Sequence, residues 1–236
     1  MAHQDNITQI FNMLLEQRKP VVLINSYRGI PVTHEARIIT ISQGYVAFSV
    51  HEYQAVCMTL EGKTFIRSDE LPEVYQARAV AVDVVTKQAI LTEFTGSGTS
   101  VGKRMAARVQ PKLPVDVELY DGQHRIPGKL ADISTTGVGI FTFATYIYGE
   151  LAFEKSENVF IDVRMPTSDS IMRFEGKVTS VMHQKGTFLH RLGVKLLPNP
   201  ATDATLQHYI MQRQEEILQE LHAIYETMAR DKDKRS

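Results

Sequence analysis

The stretch Leu113–Ile133, LPVDVELYDGQHRIPGKLADI, alternates apolar and polar residues on both sides of a central Asp121-Gly122 pair. Alternation with a period of two is typical of a β-strand that has one face in a core. An Asp-Gly pair between two such runs favours a tight hairpin turn. The stretch therefore predicts two antiparallel strands, Leu113–Tyr120 and Ile126–Ile133, whose far ends lie side by side.

Four further runs of strand type follow on the C-terminal side, with no long helix between them: Val138–Phe143, Val159–Met165, Met172–His183 and Phe188–Leu196. The prolines at Pro198 and Pro200 end the last of them. About six short strands in succession favour a small antiparallel β-barrel.

The N-terminal half has the same character after a short amphipathic helix over Asp5–Arg18. Two of its runs, Ala55–Leu60 and Lys63–Arg67, are interpreted as a hairpin across a Glu61-Gly62 turn. The other strand predictions are Val21–Ile24, Arg37–Ser42, Tyr45–Val50, Ala77–Val84 and Gln88–Phe94. We expect a barrel or sandwich here as well, so the predicted fold is all-β with flanking helices: two consecutive small antiparallel β-barrels and a long C-terminal helix.

The clearest break in composition is the segment 95–102, TGSGTSVG, which indicates a flexible connector. We therefore expect an N-terminal helix and β-barrel over residues 1–94, a linker over 95–102 and a second barrel over 103–200. Residues 201–236 are expected to form an amphipathic helix and a charged tail.

The C-terminal helix, predicted over Thr202–Arg230, has an apolar seam whose spacing is close to a heptad: Leu206, Ile210, Ile217, Leu221, Ile224 and Met228. We expect its first turns to pack on the second barrel and its outer turns to form a homo-oligomer.

Composition excludes several classes of function. The 26 basic and 27 acidic residues of this chain of 236 residues give a net charge of -1, so no global field attracts DNA. No apolar run is long enough to insert into a membrane, and the N-terminus is unlike a signal peptide. The single cysteine, Cys57, fits a cytoplasmic location and is expected to be a small core residue. No catalytic or metal-ligand spacing is present, so we expect neither an enzyme nor a metal site.

Two groups of polar residues flank the predicted hairpin. Lys103, Arg104 and Arg108 follow the linker, and Asp132, Ser134 and Gly137 follow the second strand. An arginine fork can hold a phosphate, grip a guanine edge or stack on a purine, and a carboxylate accepts hydrogen bonds from guanine N1–H and N2–H₂. Ser134 offers a small hydroxyl, and Gly137 allows close approach or a positive φ. Without a ligand, Arg104 and Arg108 would form a solvated basic turn, and Asp132 and Ser134 would only stabilise a turn by bonding to the backbone.

The order R-x-x-x-R, then [DN]-x-S-x-x-G, within a small barrel resembles the PilZ domain, a family of bacterial receptors for cyclic di-GMP. The resemblance covers about Gly102–Leu197, including a late strand at Arg191-Leu192-Gly193-Val194. It implies that Lys103, Arg104, Arg108, Asp132, Ser134 and Gly137 bind cyclic di-GMP, a ligand and not a cofactor. The N-terminal half is similar in kind to the barrel that precedes PilZ in flagellar-brake proteins.

Because the basic residues adjoin the flexible linker, we expect binding to order the linker, reorient the N-terminal barrel and change a protein–protein contact. The resemblance suggests that this contact controls motility, pili or surface polysaccharide. Two alternatives remain open. One is a PilZ-fold adaptor that acts only through its surfaces. The other is a small-molecule or flavin-binding role for the N-terminal barrel.

Overall fold

The computed structural model describes residues 2–97, 107–121, 125–143, 146–147, 150–151, 158–164, 171–183 and 189–233. The chain divides into two compact units, the first made of Met1–Met105 with Ile217–Ser236 and the second of Ala106–Glu216. Each unit contains one closed antiparallel barrel of six strands. The predicted fold class, two consecutive small β-barrels with flanking helices, is therefore confirmed.

The first unit begins with a helix, and its barrel has the strand order β1-β2-β3-β6-β5-β4. Its elements are α1 (Ala2–Glu16), β1 (Val21–Tyr27), β2 (Ile30–Ser42), β3 (Tyr45–Ser49), α2 (Glu52–Glu61), β4 (Lys63–Arg67), β5 (Tyr75–Asp83) and β6 (Gln88–Gly96).

Alternation along the strands fills the interior of this barrel with apolar side chains. Leu23, Phe48, Ile66 and Leu91 are all fully buried. Each burial contributes about 1.5–3 kcal/mol. Phe11 of α1 packs edge-on against Phe48, with 6.2 Å between ring centroids, so the predicted N-terminal helix completes this core.

The predicted strand Ala55–Leu60 is wrong, because these residues lie in helix α2. The Nδ1 atom of His51 accepts a hydrogen bond from the Tyr53 N–H at 3.2 Å and caps the first turn. Gly62 ends the helix in the left-handed region, at φ 68°, and is not a hairpin turn. The helix is buried over five consecutive residues, from Gln54 to Met58, so its sequence lacks the period of an amphipathic helix.

The second unit has the barrel order β12-β13-β14-β9-β8-β7 and a separate two-stranded sheet. Its strands are β7 (Asp116–Tyr120), β8 (Arg125–Ser134), β9 (Gly137–Thr142), β10 (Tyr146–Ile147), β11 (Glu150–Leu151), β12 (Asn158–Arg164), β13 (Ile171–His183) and β14 (His190–Leu196). Strands β7 and β8 pair with Tyr120 opposite Arg125, which confirms the hairpin predicted from the opening stretch.

The predicted linker over 95–102 lies only partly within the described residues. Strand β6 continues to Gly96, and the Ser97 hydroxyl donates to the Val74 carbonyl at 2.8 Å, so the first linker residues are joined to the barrel. Residues 98–102 lie outside the described part of the chain. The division into domains at this segment stays a prediction.

The C-terminal helix α3 (Pro200–Asp233) belongs to the second unit up to Glu216 and to the first unit from Ile217 onward. In the first unit Leu221 is fully buried within the barrel's apolar cluster, and Ile224 and Met228 pack against that cluster. These outer-turn residues therefore have an intramolecular partner. A homo-oligomer through the C-terminal helix stays a prediction.

Candidate functional site

Four of the six predicted site residues lie in the described part of the second unit: Arg108, Asp132, Ser134 and Gly137. Lys103 and Arg104 lie outside the described residues.

The segment that carries Arg108 is attached directly to strand β8. The Val109 N–H donates to the Ile133 carbonyl at 2.8 Å, and the Ile133 N–H donates back to the Val109 carbonyl at 3.0 Å. This isolated bridge places Arg108 beside Asp132, and Nη1 of Arg108 lies 3.4 Å from Oδ1 of Asp132. The structure thus brings the described arginine and the carboxylate together, as the hairpin implied.

Asp132 is the centre of the site, a carboxylate held between two guanidinium groups. Its second oxygen, Oδ2, is paired with Nη2 of Arg191. The Asp132 side chain is 10% exposed, while those of Arg108 and Arg191 are 36% and 34% exposed. Two cations compensate the burial of one anion, so this arrangement keeps a net positive charge at a partly open surface.

Arg191 was not among the predicted site residues. Leu192 and Val194 are buried in the barrel interior, so alternation along β14 puts Arg191 on the outer face. Strand register places it opposite Phe141 of β9 and diagonally across from Gly139, which is opposite Asp132. The inward and outward alternation of the late strand was the sequence signal that indicates this residue.

Glycines on the outer face of β9 and β14 leave room for the paired side chains of Asp132 and Arg191. Gly139 lies opposite Asp132 on one side and opposite Gly193 on the other. A Cβ on Gly139 would lie 2.9 Å from Oδ2 of Asp132 and 3.0 Å from Nη2 of Arg191. A Cβ on Gly137 would lie 3.0 Å from the Val194 carbonyl oxygen. Glycine is therefore required here for close approach, and Gly137 has no positive φ.

Ser134 is buried, and its hydroxyl acts in the turn between β8 and β9. It donates to the Gly137 carbonyl at 3.1 Å and lies 3.4 Å from the Thr136 nitrogen, which donates to it. Ordinary Ser turn chemistry, one of the two alternatives for this residue, is thus present. Ser134 fixes the turn that joins Asp132 to Gly137, and its direct contact with a ligand stays a prediction.

The N-terminal barrel is the alternative place for a small-molecule or flavin site. Its interior is filled by the apolar cluster. A cavity of about 250 Å³ lies at its surface, over Leu14, Leu15 and Ile38, with Arg18, Lys19 and Arg37 around it. This cavity is lined by exposed cations and not by the convergent polar groups of the Asp132 site.

No group of three His, Cys, Asp or Glu side chains within the described ranges is arranged to hold a metal ion. None of the described helices is both long and apolar enough to cross a lipid bilayer. Burial raises the pKa of the Cys57 thiol to about 12, which leaves it protonated and unreactive in the core.

Comparison with solved structures finds several proteins that match this chain over most of its length and most of their own. They include YcgR of Escherichia coli in complex with c-di-GMP (13% identity, 94% of this chain and 95% of that chain covered, TM-score 0.45). The Bacillus subtilis inhibitor of motility, MotI/DgrA, matches at 13% identity, with 84% and 97% covered and a TM-score of 0.42. The MrkH–c-di-GMP complex of K. pneumonia matches at 10% identity, with 92% and 96% covered and a TM-score of 0.46. No curated protein sequence matches this chain.

The family assignment depends on a different observation. The family model of the PilZ domain matches residues 102–212, which include both arginines of the first motif, Asp132 and Arg191. The resemblance inferred from the two motifs is confirmed by this match. Residues 102–212 of this chain therefore match the PilZ domain family.

Proposed function

We propose that this chain is a non-enzymatic, cytoplasmic receptor that binds cyclic di-GMP on the outer face of its second barrel. The observation that carries the proposal is the Asp132 carboxylate held between Arg108 and Arg191 above a surface of glycines. PilZ receptors bind this dinucleotide, and the match over residues 102–212 supports the same ligand here.

The charges of the site suit a ligand with guanine bases and phosphates. Guanidinium groups bind phosphate oxygens or the O6 and N7 atoms of guanine in pairs of hydrogen bonds. The Asp132 carboxylate accepts hydrogen bonds, so it suits the N1–H and N2–H₂ donors of guanine. Lys103 and Arg104 precede Arg108 in the chain and would add two cations to this set.

The glycines next to Asp132 give room to the side chains of the site. Gly139 and Gly193 are neighbours across β9 and β14; the Asp132–Arg191 pair lies over Gly139, and the Ser180 hydroxyl lies over Gly193. The partly exposed Arg108 and Arg191 side chains are therefore the groups that a ligand would meet first. The ligand would lie on the outside of the barrel, because Ile133, Ile140 and Leu192 fill the inside.

Binding requires that Arg108 and Arg191 divide their hydrogen bonds between Asp132 and the ligand. Each guanidinium carries five N–H donors, and the two arginine side chains are about one-third exposed, so both can keep one contact with the carboxylate and direct others to the ligand. Asp132 thereby orients the two cations in advance, which lowers the entropic cost of binding.

The output that we propose is a changed arrangement of the two domains and a changed protein–protein contact. The Gly/Ser-rich segment 95–102 directly precedes the basic residues of the site, which supports a link between ligand binding and the domain connection. The regulated process in this proposal is motility, pili or surface polysaccharide.

Isothermal titration calorimetry with cyclic di-GMP tests the proposed ligand. Wild type is expected to bind in the micromolar range or tighter. Arg108→Ala is expected to bind at least ten-fold more weakly, because a charge-assisted hydrogen bond is worth about 1.5–3 kcal/mol. Arg125→Ala is the matched control, since Arg125 lies on the same barrel in an exposed ion pair with Glu118.

Equal affinities of Arg108→Ala, Arg125→Ala and wild type would mean that the dinucleotide binds elsewhere. Absence of binding by wild type would contradict the proposal and favour the adaptor that acts only through its surfaces.

A further inference from the structure

Helix α3 presents a buried cation to the second barrel. Arg213 is 2% exposed and lies one turn beyond Tyr209 and Ile210, which are both 6% exposed. Burial raises the pKa of the Tyr209 hydroxyl, with smaller opposed effects from Arg213 and Glu216. A guanidinium is costly to bury, so an arginine on this face requires specific partners.

The partners of Arg213 connect the helix to the segment that carries Arg108. Its Nε donates to the Gln110 carbonyl at 2.8 Å, and its Nη1 pairs with Oε2 of Glu216 at 2.9 Å. Gln110 is two residues from Arg108. Arg213 therefore holds the main chain of this segment from the side of the helix.

The same segment is held from its other side by strand β8. Val109 exchanges two backbone hydrogen bonds with Ile133, the residue after Asp132. This bridge of two hydrogen bonds, together with the buried Val109 side chain, fixes the segment at one point. The Arg213 contact at Gln110 supplies a second fixed point, so the direction of the Arg108 side chain depends on both.

We propose that Arg213 is a positioning residue for the dinucleotide site, acting on Arg108 through the Gln110 carbonyl without touching the ligand. This inference rests on the proposed function. An error of about 1 Å in the position of a binding group is enough to lower its contribution by ten-fold or more. Loss of the Gln110 contact should therefore weaken ligand binding while the barrel stays folded.

The test compares Arg213→Met, Arg213→Lys and Arg230→Met with wild type by titration calorimetry with cyclic di-GMP. Met keeps the aliphatic stem and removes the donors. Lys keeps one charge and one flexible donor. Arg230 is on the same helix in an exposed pair with Glu226 and serves as the control. We expect Arg213→Met to bind about ten-fold more weakly, Arg213→Lys to recover part of that loss, and Arg230→Met to match wild type.

The salt dependence of affinity separates positioning from direct contact and from a general loss of structure. Arg108→Ala should flatten the plot of log affinity against log salt, because the ligand then meets one cation fewer. Arg213→Met should keep the slope of wild type at its lower affinity. Circular dichroism at the titration temperature confirms that each variant is folded.

Two results overturn the inference, and they are distinguishable. If wild type binds and Arg213→Met binds within two-fold of it, Arg213 does not position the site and the proposed function stands. If wild type does not bind the dinucleotide, the proposed function fails and this inference fails with it.

Discussion

Replacing Gly139 by alanine tests whether the Asp132–Arg191 pair needs a strand without a side chain beneath it. The new Cβ would lie 2.9 Å from Oδ2 of Asp132 and 3.0 Å from Nη2 of Arg191. Ordinary contact begins near 3.4 Å, so the carboxylate or the guanidinium must retreat by about 0.5 Å. Both are side-chain ends at a partly open surface, so we expect unfolding free energy to fall by less than about 1 kcal/mol.

The same displacement should be costly for ligand binding. A misdirected charge-assisted hydrogen bond loses about 1.4 kcal/mol, which is a ten-fold loss of affinity for cyclic di-GMP. Thermal unfolding and titration calorimetry measure the two effects separately. Gly128→Ala is the matched control on the inner face, because its Cβ would lie 2.8 Å from both the Ile140 side chain and the Phe141 carbonyl oxygen.

For Gly128→Ala we expect the opposite outcome, a lower melting temperature with unchanged affinity of the folded protein. If Gly139→Ala binds cyclic di-GMP as wild type does, the close approach at Gly139 has no role in recognition and the account of the site's geometry is wrong.

Three further predictions concern the first unit. Leu221→Ala should lower its unfolding free energy by about 2–5 kcal/mol, because the Leu221 side chain is fully buried against the barrel. Leu218 is 44% exposed on the same helix, so Leu218→Ala should change that free energy by less than about 0.5 kcal/mol. Equal effects of the two substitutions in denaturant unfolding would refute the packing of the helix on this barrel. Gly62→Ala should cost about 1 kcal/mol, since its φ of 68° is unfavourable for alanine and no atom lies within 4 Å of the new Cβ; a melting temperature equal to that of wild type would contradict this backbone cost. The rings of His34 and His51 stack with 3.7 Å between their centroids, and burial lowers the pKa of both imidazoles below 6.5, with a further lowering at His34 from the nearby His51. Protons therefore bind the unfolded chain preferentially, so the free energy of unfolding should fall as the pH drops below about 6.5. A His34→Gln variant that loses as much stability at low pH as wild type would show that this pair is not responsible.

Sequence patterns predicted the elements whose two faces differ. The strands around Asp121-Gly122 alternate because one side faces the barrel interior, and this alternation located the hairpin and hence the contact between Arg108 and Asp132. Helix α2 escaped prediction because it is buried on most sides, and its end at Gly62 has the same Glu-Gly signal as a hairpin turn.

Contacts between distant parts of the chain were beyond local patterns. The heptad-like seam of α3 shows that Leu221 needs an apolar partner, but a seam does not specify whether the partner is a second copy or the chain's own N-terminal barrel. Alternation along β14 places Arg191 on the outer face of the barrel, but it does not identify Asp132, far away in sequence, as its partner. The partner of Arg213, the Gln110 carbonyl, is likewise distant in sequence and has no local signal.

We propose that this site recognises guanine through the Asp132 carboxylate as well as phosphate through its cations. Calorimetric titration of the wild-type protein with cyclic di-GMP and, in parallel, with cyclic di-AMP tests it most directly, because adenine lacks the N1–H and N2–H₂ donors that a carboxylate accepts from guanine. We expect micromolar or tighter binding of the guanine dinucleotide and at least ten-fold weaker binding of the adenine one, in line with about 1–3 kcal/mol of discrimination for each base contact. Equal affinity for the two dinucleotides, or no binding of either, would contradict it.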